Sequence, residues 1–236
     1  TKDVTTLGRG ASDTTAVALA AALGADFCEI YSDVDGVYTA DPRIVPSARH
    51  IRAIGYEDMM EMAASGAKIL HLRCVEYARR ENVAVHVRSS FSNKPGTWVK
   101  DLEDIATDQT EEGTAMEQAL ISGVAHDSTE SLATVRRVPN EPGMAAKVFT
   151  MLAEAGVNVD MIVQAGASVG TADISFTVPE SAVKQVQNTL LDKQEVLGYH
   201  SFDVDTNVGK VAVVGVGMKT HAGLAAKFFQ ALSDEG

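Results

Sequence analysis

The chain of 236 residues has little cysteine, aromatic content or proline: two Cys, 6% Phe, Trp and Tyr, and six Pro. Cys28 and Cys74 lie in apolar surroundings and form no CxxC pair, which argues against a disulfide framework and fits a reducing compartment with both thiols in the core. No apolar run reaches the ~20 residues needed to span a bilayer, and the chain opens on Thr-Lys-Asp, not on a basic and then apolar leader. A soluble, cytoplasmic protein with no membrane partner is expected. The six histidines are scattered without HxxxH or HxH spacing, so they read as core or surface residues and no metal centre is expected. Positive charge is also scarce. With 20 Lys and Arg against 32 Asp and Glu, the net charge of −12 argues against nucleic acid as a partner.

What is present is enough for a core, at 45% hydrophobic residues, and it is unevenly charged. Residues 1–100 hold twelve basic and twelve acidic side chains, whereas residues 101–236 hold eight and twenty. The change falls at Val99–Gln118, which carries seven Asp or Glu against one Lys and reads as an exposed connector. The expected division is 1–98, a linker over 99–118, a second domain over 119–206, and the start of a third over 207–236.

The segment Ser32–Arg43, SDVDGVYTADPR, gathers three carboxylates, a glycine, a tyrosine, a proline and an arginine. It follows the apolar run Asp26–Tyr31, which reads as a buried strand. Open α/β sheets hold ligands at such strand ends, and Asp33, Asp41 and Arg43 suit a nucleotide and its cation. Upstream, Gly8-Arg9-Gly10-Ala11-Ser12-Asp13 opens the helical stretch Thr14–Gly24. A glycine turn at a helix N-terminus offers free N–H groups and the positive end of the dipole to an anion, and Arg9 adds a bidentate donor. Two helices over Tyr56–Ser65 and Ala67–Arg80, then a strand over Val83–Arg88, predict a sheet covered on both faces. A calcium loop at Asp33–Gly36 fails, because Tyr31 and Pro42 fall where two anchoring ligands belong.

Beyond the connector the chain repeats itself. Pro142–Gly156 aligns without gaps to Ala222–Gly236, with seven identities in fifteen positions including Gly143/Gly223, Lys147/Lys227, Phe149/Phe229 and Leu152/Leu232. Strands over Leu132–Val138, Val157–Gln164, Ala172–Val178 and Phe202–Asp205, with helices over Met144–Ala155 and Glu180–Leu191, give a ferredoxin-like β-α-β-β-α-β unit. A second copy starts with a strand over Lys210–Gly217 and is cut short at Gly236.

GRGASD, SDVDGVYTADPR, GAKILH, VHVRSSFS and PGTWV, in this order, closely resemble the aspartokinases of the amino-acid kinase superfamily, and the repeated modules resemble their C-terminal ACT domains. The resemblance implies part of an α/β/α sandwich followed by ACT domains, and ATP-dependent phosphorylation of the β-carboxylate of L-aspartate with Mg2+. It further implies feedback by an amino-acid effector, lysine or threonine or both, and a homo-oligomer or large and small subunits assembled through the ACT domains. By the same resemblance Arg9, Gly10, Ala11 and Ser12 contact aspartate, and Asp13 orders the phosphoryl-transfer site. Ser32, Asp33, Tyr38, Thr39, Ala40, Asp41, Pro42 and Arg43 bind ATP, with Lys68 near its phosphates. The turn Asn140, Glu141, Pro142 and Gly143, with Val157, Asn158, Val159, Asp160 and Gln164, lines the effector site.

The chain departs from the family pattern at three points. Ala11 stands where a second glycine is usual, and Asn140 where an acid is, with Glu141 beside it. The N-terminal Lys-Phe-Gly-Gly-Thr-Ser phosphate loop is absent, so the chain is expected to be an inactive fragment of an active enzyme. The alternative is a non-catalytic amino-acid-sensing module in which only the ACT part functions, beginning near Met116.

Overall fold

The computed structural model describes residues 10–105, 121–215, 221 and 223–236. These fall into two compact units, one formed by residues up to 126 with 211–236 and the other by 127–210.

In the first unit α1 (Ala11–Leu23) runs into β1 (Phe27–Ser32), and β2 (Ala53–Gly55) leads directly into α2 (Tyr56–Ala64). Then come α3 (Leu72–Glu81), β3 (Ala84–Ser89) and β4 (Thr97–Lys100), giving a sheet in the order β1-β3-β4-β2. β1 and β3 are parallel, with Cys28 opposite Val85 and Ser32 opposite Ser89, while β4 runs antiparallel to β3. Val17 and Ala20 of α1, Met59 and Met62 of α2, and Cys74, Val75 and Ala78 of α3 form one core with Cys28, Val85, Val87 and Val99.

Among the described residues these helices contribute to a single core, which takes alternate residues of the strands. β1 is therefore not the buried strand its apolar run predicts. Cys28 is buried, whereas Phe27 and Tyr31 are exposed because β1 lies at a sheet edge and alternate residues point away from the helices. That outer face carries Trp98 stacked on His86 at 4.0 Å, with Phe27 edge-on to Trp98.

Two other expectations shift. α3 begins at Leu72, not Ala67, because Gly66 turns with φ +111° and the helix forms only where the His71 carbonyl accepts the Cys74 and Val75 N–H groups. Val99 and Lys100, assigned by composition to the connector, complete β4, and Val99 is fully buried. Residues 106–118 of that connector lie outside the described residues.

The second unit contains β6 (Glu130–Pro139), α4 (Met144–Glu154), β7 (Ile162–Ser168) and β8 (Thr171–Pro179). α5 (Val183–Leu191), α6 (Gln194–Leu197) and β9 (Ser201–Asp205) follow. The order β7-β8-β6-β9, with antiparallel pairing throughout, is the ferredoxin-like sheet. Phe176, Leu152, Val148 and Leu190 fill its core. The second strand starts at Ile162, not Val157. Residues 157–161 run in irregular conformation and join β8 through single bonds, Asp160 N–H to the Thr177 carbonyl and Thr177 N–H to the Met161 carbonyl.

β5 (Gly123–Asp127) stands outside that sheet and pairs with β10 (Lys210–Val214), ahead of α7 (Leu224–Glu235). The Ser122 N–H to the Val214 carbonyl, together with the approach of Gly209 to the Asp127 carbonyl, makes this pair antiparallel. The repeat has a structural counterpart in the helix caps. α4 and α7 start from left-handed glycines, Gly143 at φ +90° and Gly223 at φ +93°, each accepting the N–H of the matching lysine at 3.0 Å. The two copies differ in cover. Leu152 is fully buried, while its counterpart Leu232 is 47% exposed.

Candidate functional site

Topology gathers the kinase-like motifs at one end of the first sheet. Gly24–Asp26 joins α1 to β1 and Asn82–Val83 joins α3 to β3, so each helix runs back along its strand. The N-termini of α1 and α3 therefore lie at the carboxyl ends of β1 and β3, where parallel sheets hold ligands. Gly10–Asp13, Ser32–Arg43, Lys68 and Ser89–Lys94 share that end.

The first element is the turn into α1. Gly10 is left-handed, φ +73°, and among the described residues α1 has no side-chain cap, so its first N–H groups can serve an anion. The demand for glycine falls on position 10. Ala11 is the first helical residue, so its methyl group occupies ordinary helical geometry. A Cβ on Gly10 would lie 2.3 Å from Cγ and Cδ2 of His71, whose ring fills the space beside the turn. His71 Nδ1 is buried with no hydrogen-bond partner among the described residues. Asp13 sits in the first turn and takes the Ser12 hydroxyl at 3.3 Å. Arg9 lies outside the described residues.

The second element is an irregular hairpin. Val37–Thr39 and Arg49–Ile51 run antiparallel, with Thr39 N–H to the Arg49 carbonyl at 2.8 Å, Ile51 N–H to the Val37 carbonyl at 2.9 Å, and Tyr38 edge-on to His50. Its tip is organised by Asp41. The carboxylate accepts the Arg43 backbone N–H at 2.9 Å and its guanidinium at 2.7 Å, while the Asp41 carbonyl takes the Ile44 and Val45 N–H groups. The hydrogen bonds from the Arg43 side chain, then from its backbone, hold the Asp41 carboxyl down at about 2. Arg43 is 84% exposed beyond this pair. Ser32 donates to Asp33, and Ala40 and Pro42 complete the tip.

This pairing predicts a pH dependence. A carboxyl held below its unfolded value of ~3.9 stabilises the folded loop at every pH above that value and stops doing so as pH falls towards 2. Asp41→Asn is expected to cost about 1 kcal/mol at pH 7, the exposure of Arg43 keeping the figure small. Urea denaturation of both proteins should show the gap closing between about pH 4 and pH 2.

Lys68 is exposed in the irregular segment before α3, not on the helix, and its ammonium makes no ion pair among the described residues. Burial raises the Cys74 thiol to about 12 and also raises that of Cys28, so neither is a nucleophile.

Residues outside the expected set hold this site in shape. Asp35 accepts Ser92 Oγ at 2.6 Å and Lys94 Nζ at 2.7 Å, clasping the hairpin base to the loop after β3. The Lys94 cation, then the Ser92 hydroxyl, hold the Asp35 carboxyl below its ordinary value. Thr97 and His71 belong with them. The polar residues of VRSSFSNKPGTW were the available signal, but pairings across about sixty residues leave no local period to read.

In the second unit Asn140, Glu141, Pro142 and Gly143 form the turn before α4 and, with Gln164 of β7, line a cavity of about 390 Å³ floored by Val138, Ala172 and Ile174. A bulge opens beside it. Arg137 adopts φ +53°, its N–H bonded to Asp173 Oδ1 at 2.8 Å, and the β6 register shifts between Val135 and Val138. Val157 is buried in the core, Asn158 is exposed, Val159 packs on the core edge, and Asp160 pairs with Lys210 at 2.5 Å. None of these four lines the cavity.

Comparison with known proteins follows the same division. The amino acid kinase family profile matches residues 1–89, and the ACT domain profile matches 136–194 and 211–236. The aspartokinase of Mycolicibacterium smegmatis is 52% identical over the whole chain, and that of Corynebacterium glutamicum 53% over 99% of it. The chain spans about half the length of the curated relatives it matches, 54% of each of these two. The structure of E. coli aspartokinase III in complex with aspartate and ADP superimposes with a TM-score of 0.77 at 30% identity, covering 97% of this chain and 48% of that one. The same enzyme with lysine and aspartate gives 0.66 at 31%, covering 89% and 44%. Matched along its whole length by aspartokinases, with a kinase part followed by an ACT part, the chain belongs to the aspartokinase family.

Proposed function

We propose that the full-length protein transfers the γ-phosphoryl group of ATP to the β-carboxylate of L-aspartate, giving 4-phospho-L-aspartate, in the cytoplasm and under feedback from an amino acid bound to its ACT part. The observation that carries this reading is the topology that puts at one sheet end the helix N-terminus at Gly10, an acid- and arginine-bearing hairpin, and the exposed cation Lys68, which forms no ion pair among the described residues. Phosphoryl transfer needs positioning and cationic stabilisation more than a covalent nucleophile, and this set provides those functions.

In this reading Arg9 and the Gly10–Ser12 turn hold the aspartate, Ser32, Asp33 and Tyr38–Arg43 hold the nucleotide, and Lys68 faces its phosphates. Mg2+ binds through one or two carboxylates plus substrate phosphates and keeps several waters. Asp13 and Asp33, which form no ion pair among the described residues, fit that requirement. The aspartate and ADP held by the E. coli relative support the assignment.

The cavity beneath Gly143 suits a free amino acid, whose carboxylate would meet the α4 N-terminus and whose amino group would meet Glu141. The lysine held by the E. coli enzyme supports an effector of this class. The exposed edge of β7, with Ile162 and Val163 about half exposed, suits assembly of ACT domains edge to edge. Within the first unit β5 braces the hairpin, its Val124 N–H binding the Thr39 carbonyl at 2.8 Å while Ser122 donates to Asp58.

The test is aspartyl hydroxamate formation with MgATP by the full-length protein, with calorimetric titration of lysine and threonine. Turnover that depends on aspartate, and heat with at least one of the two amino acids, are expected. No turnover overturns the kinase assignment, and no heat with either amino acid overturns the effector assignment.

A further inference from the structure

The hairpin that carries Tyr38–Arg43 is anchored by one hydroxyl from a different strand. Thr97 opens β4, is fully buried, and lies sixty residues from the loop it touches. Its Oγ1 accepts the Val37 N–H at 2.8 Å and donates to the Ile51 carbonyl at 2.5 Å, with His50 Nε2 at 3.4 Å. A threonine hydroxyl has one hydrogen and two lone pairs, so these contacts use its donor and leave little acceptor capacity. It joins the outgoing strand of the hairpin to the returning one at their base.

Gly36 reports how close this fit is. It sits at φ +130°, and a Cβ there would come within 2.5 Å of Thr97 Oγ1 and 2.8 Å of His50 Nε2. The left-handed glycine therefore exists to let the backbone approach the hydroxyl. The sheet fixes the hydroxyl in turn, since Val87 of β3 is the antiparallel partner of Thr97. Position is passed from the sheet to Thr97 and from Thr97 to Val37, the residue before Tyr38.

We infer that Thr97 is the positioning residue of the nucleotide loop: its hydroxyl sets the hairpin base against the sheet so that Tyr38–Arg43 are presented to ATP in one geometry. The inference rests on the nucleotide reading of that loop. Thr97 acts through the loop and not on the reacting atoms, so its removal acts on nucleotide affinity before turnover. Asp35 with Lys94 is a second tether, exposed and therefore weaker.

Valine matches threonine in shape and removes only the hydroxyl, leaving the Val37 N–H and Ile51 C=O unpaired in a dry site. In the full-length protein Thr97→Val is expected to raise KM for MgATP about tenfold or more, on the scale of one lost buried hydrogen bond, with KM for aspartate within about twofold. Thr97→Ser keeps the hydroxyl and should bind nucleotide as the unaltered protein does. Calorimetry with MgADP reads the same change without turnover. Equal MgADP affinity in Thr97→Val and the unaltered protein overturns the inference, as does equal loss in the valine and serine variants, which would assign the effect to packing of the methyl group. Absence of MgADP binding by the unaltered protein overturns the nucleotide reading itself. Should Thr97→Val not fold, amide exchange in the unaltered protein decides. Slow exchange of the Val37 N–H supports the anchor, and exchange at the rate of an open loop overturns it.

Discussion

Alanine in place of Lys68 is expected to lower kcat/KM for aspartate phosphorylation by the full-length protein by about 10² to 10³, the scale of one deleted charge-stabilising group. The side chain is exposed and makes no ion pair among the described residues, so nothing in the fold depends on it. The loss should therefore appear in turnover with the urea midpoint unchanged. Arginine at the same position keeps the charge but spreads it over a planar fork, and a partial recovery is expected. Steady-state kinetics with varied MgATP separates binding from chemistry, because a group that acts on the transferring phosphoryl lowers kcat, whereas one that only holds ground-state ATP raises KM. Activity within twofold of the unaltered protein would remove Lys68 from the site.

Gly10→Ala addresses the other wall. An alanine at φ +73° costs about 1 kcal/mol or more in backbone strain. The Cβ would also lie 2.3 Å from the His71 ring, and overpacking of that kind typically costs about 1–3 kcal/mol. A total near 2–4 kcal/mol is expected in urea denaturation, with aspartate affinity falling because the open N–H groups of α1 are displaced. The double variant provides the check. His71→Ala removes the two ring atoms at 2.3 Å but keeps the His71 Cβ at 2.6 Å, so it should recover part of the loss, with a coupling of about 1 kcal/mol. Strict additivity would show that the ring does not shape the turn.

Much of the fold was legible from helix-forming composition in α1, an apolar run in β1, alternation in β3 and an amphipathic period in α2 and α4. α1, α2, β1, β3 and α4 stand within a few residues of their expected places, and the repeat led to two matching left-handed glycine caps. The misses share a cause. β2 has three residues and β4 four, too few to show alternation, and α6 has four. β5 fell in a stretch read as part of the first module, yet its partner β10 is some eighty residues away, and no local pattern encodes that pairing. In the same way Ala67–His71 has helix-forming composition but is held open by the Gly66 turn.

The site was legible in its chemistry and not in its support. Charged and glycine residues at strand ends marked Gly10, Asp33, Asp41 and Arg43 as candidates. The contacts that hold them in place, Thr97 to Val37, Asp35 to Lys94 and His71 to Gly10, join residues about sixty apart and follow from tertiary packing alone. Position in sequence also misled at Val157–Asp160, where a strand was expected and an irregular segment is found.

The antiparallel pairing of β5 with β10 has a genetic consequence. The segment 127–210 leaves the first unit from the end of one strand and returns at the start of its neighbour, so its two junctions lie side by side. A segment with adjoining ends can be gained, lost or exchanged by a single recombination event without parting any strand of the host, since a short turn is enough to rejoin β5 to β10. The cavity lined by Asn140–Gly143 lies wholly within that segment. On the effector reading proposed above, replacing that one cassette would change which amino acid is sensed while the hairpin that β5 touches stays as it was.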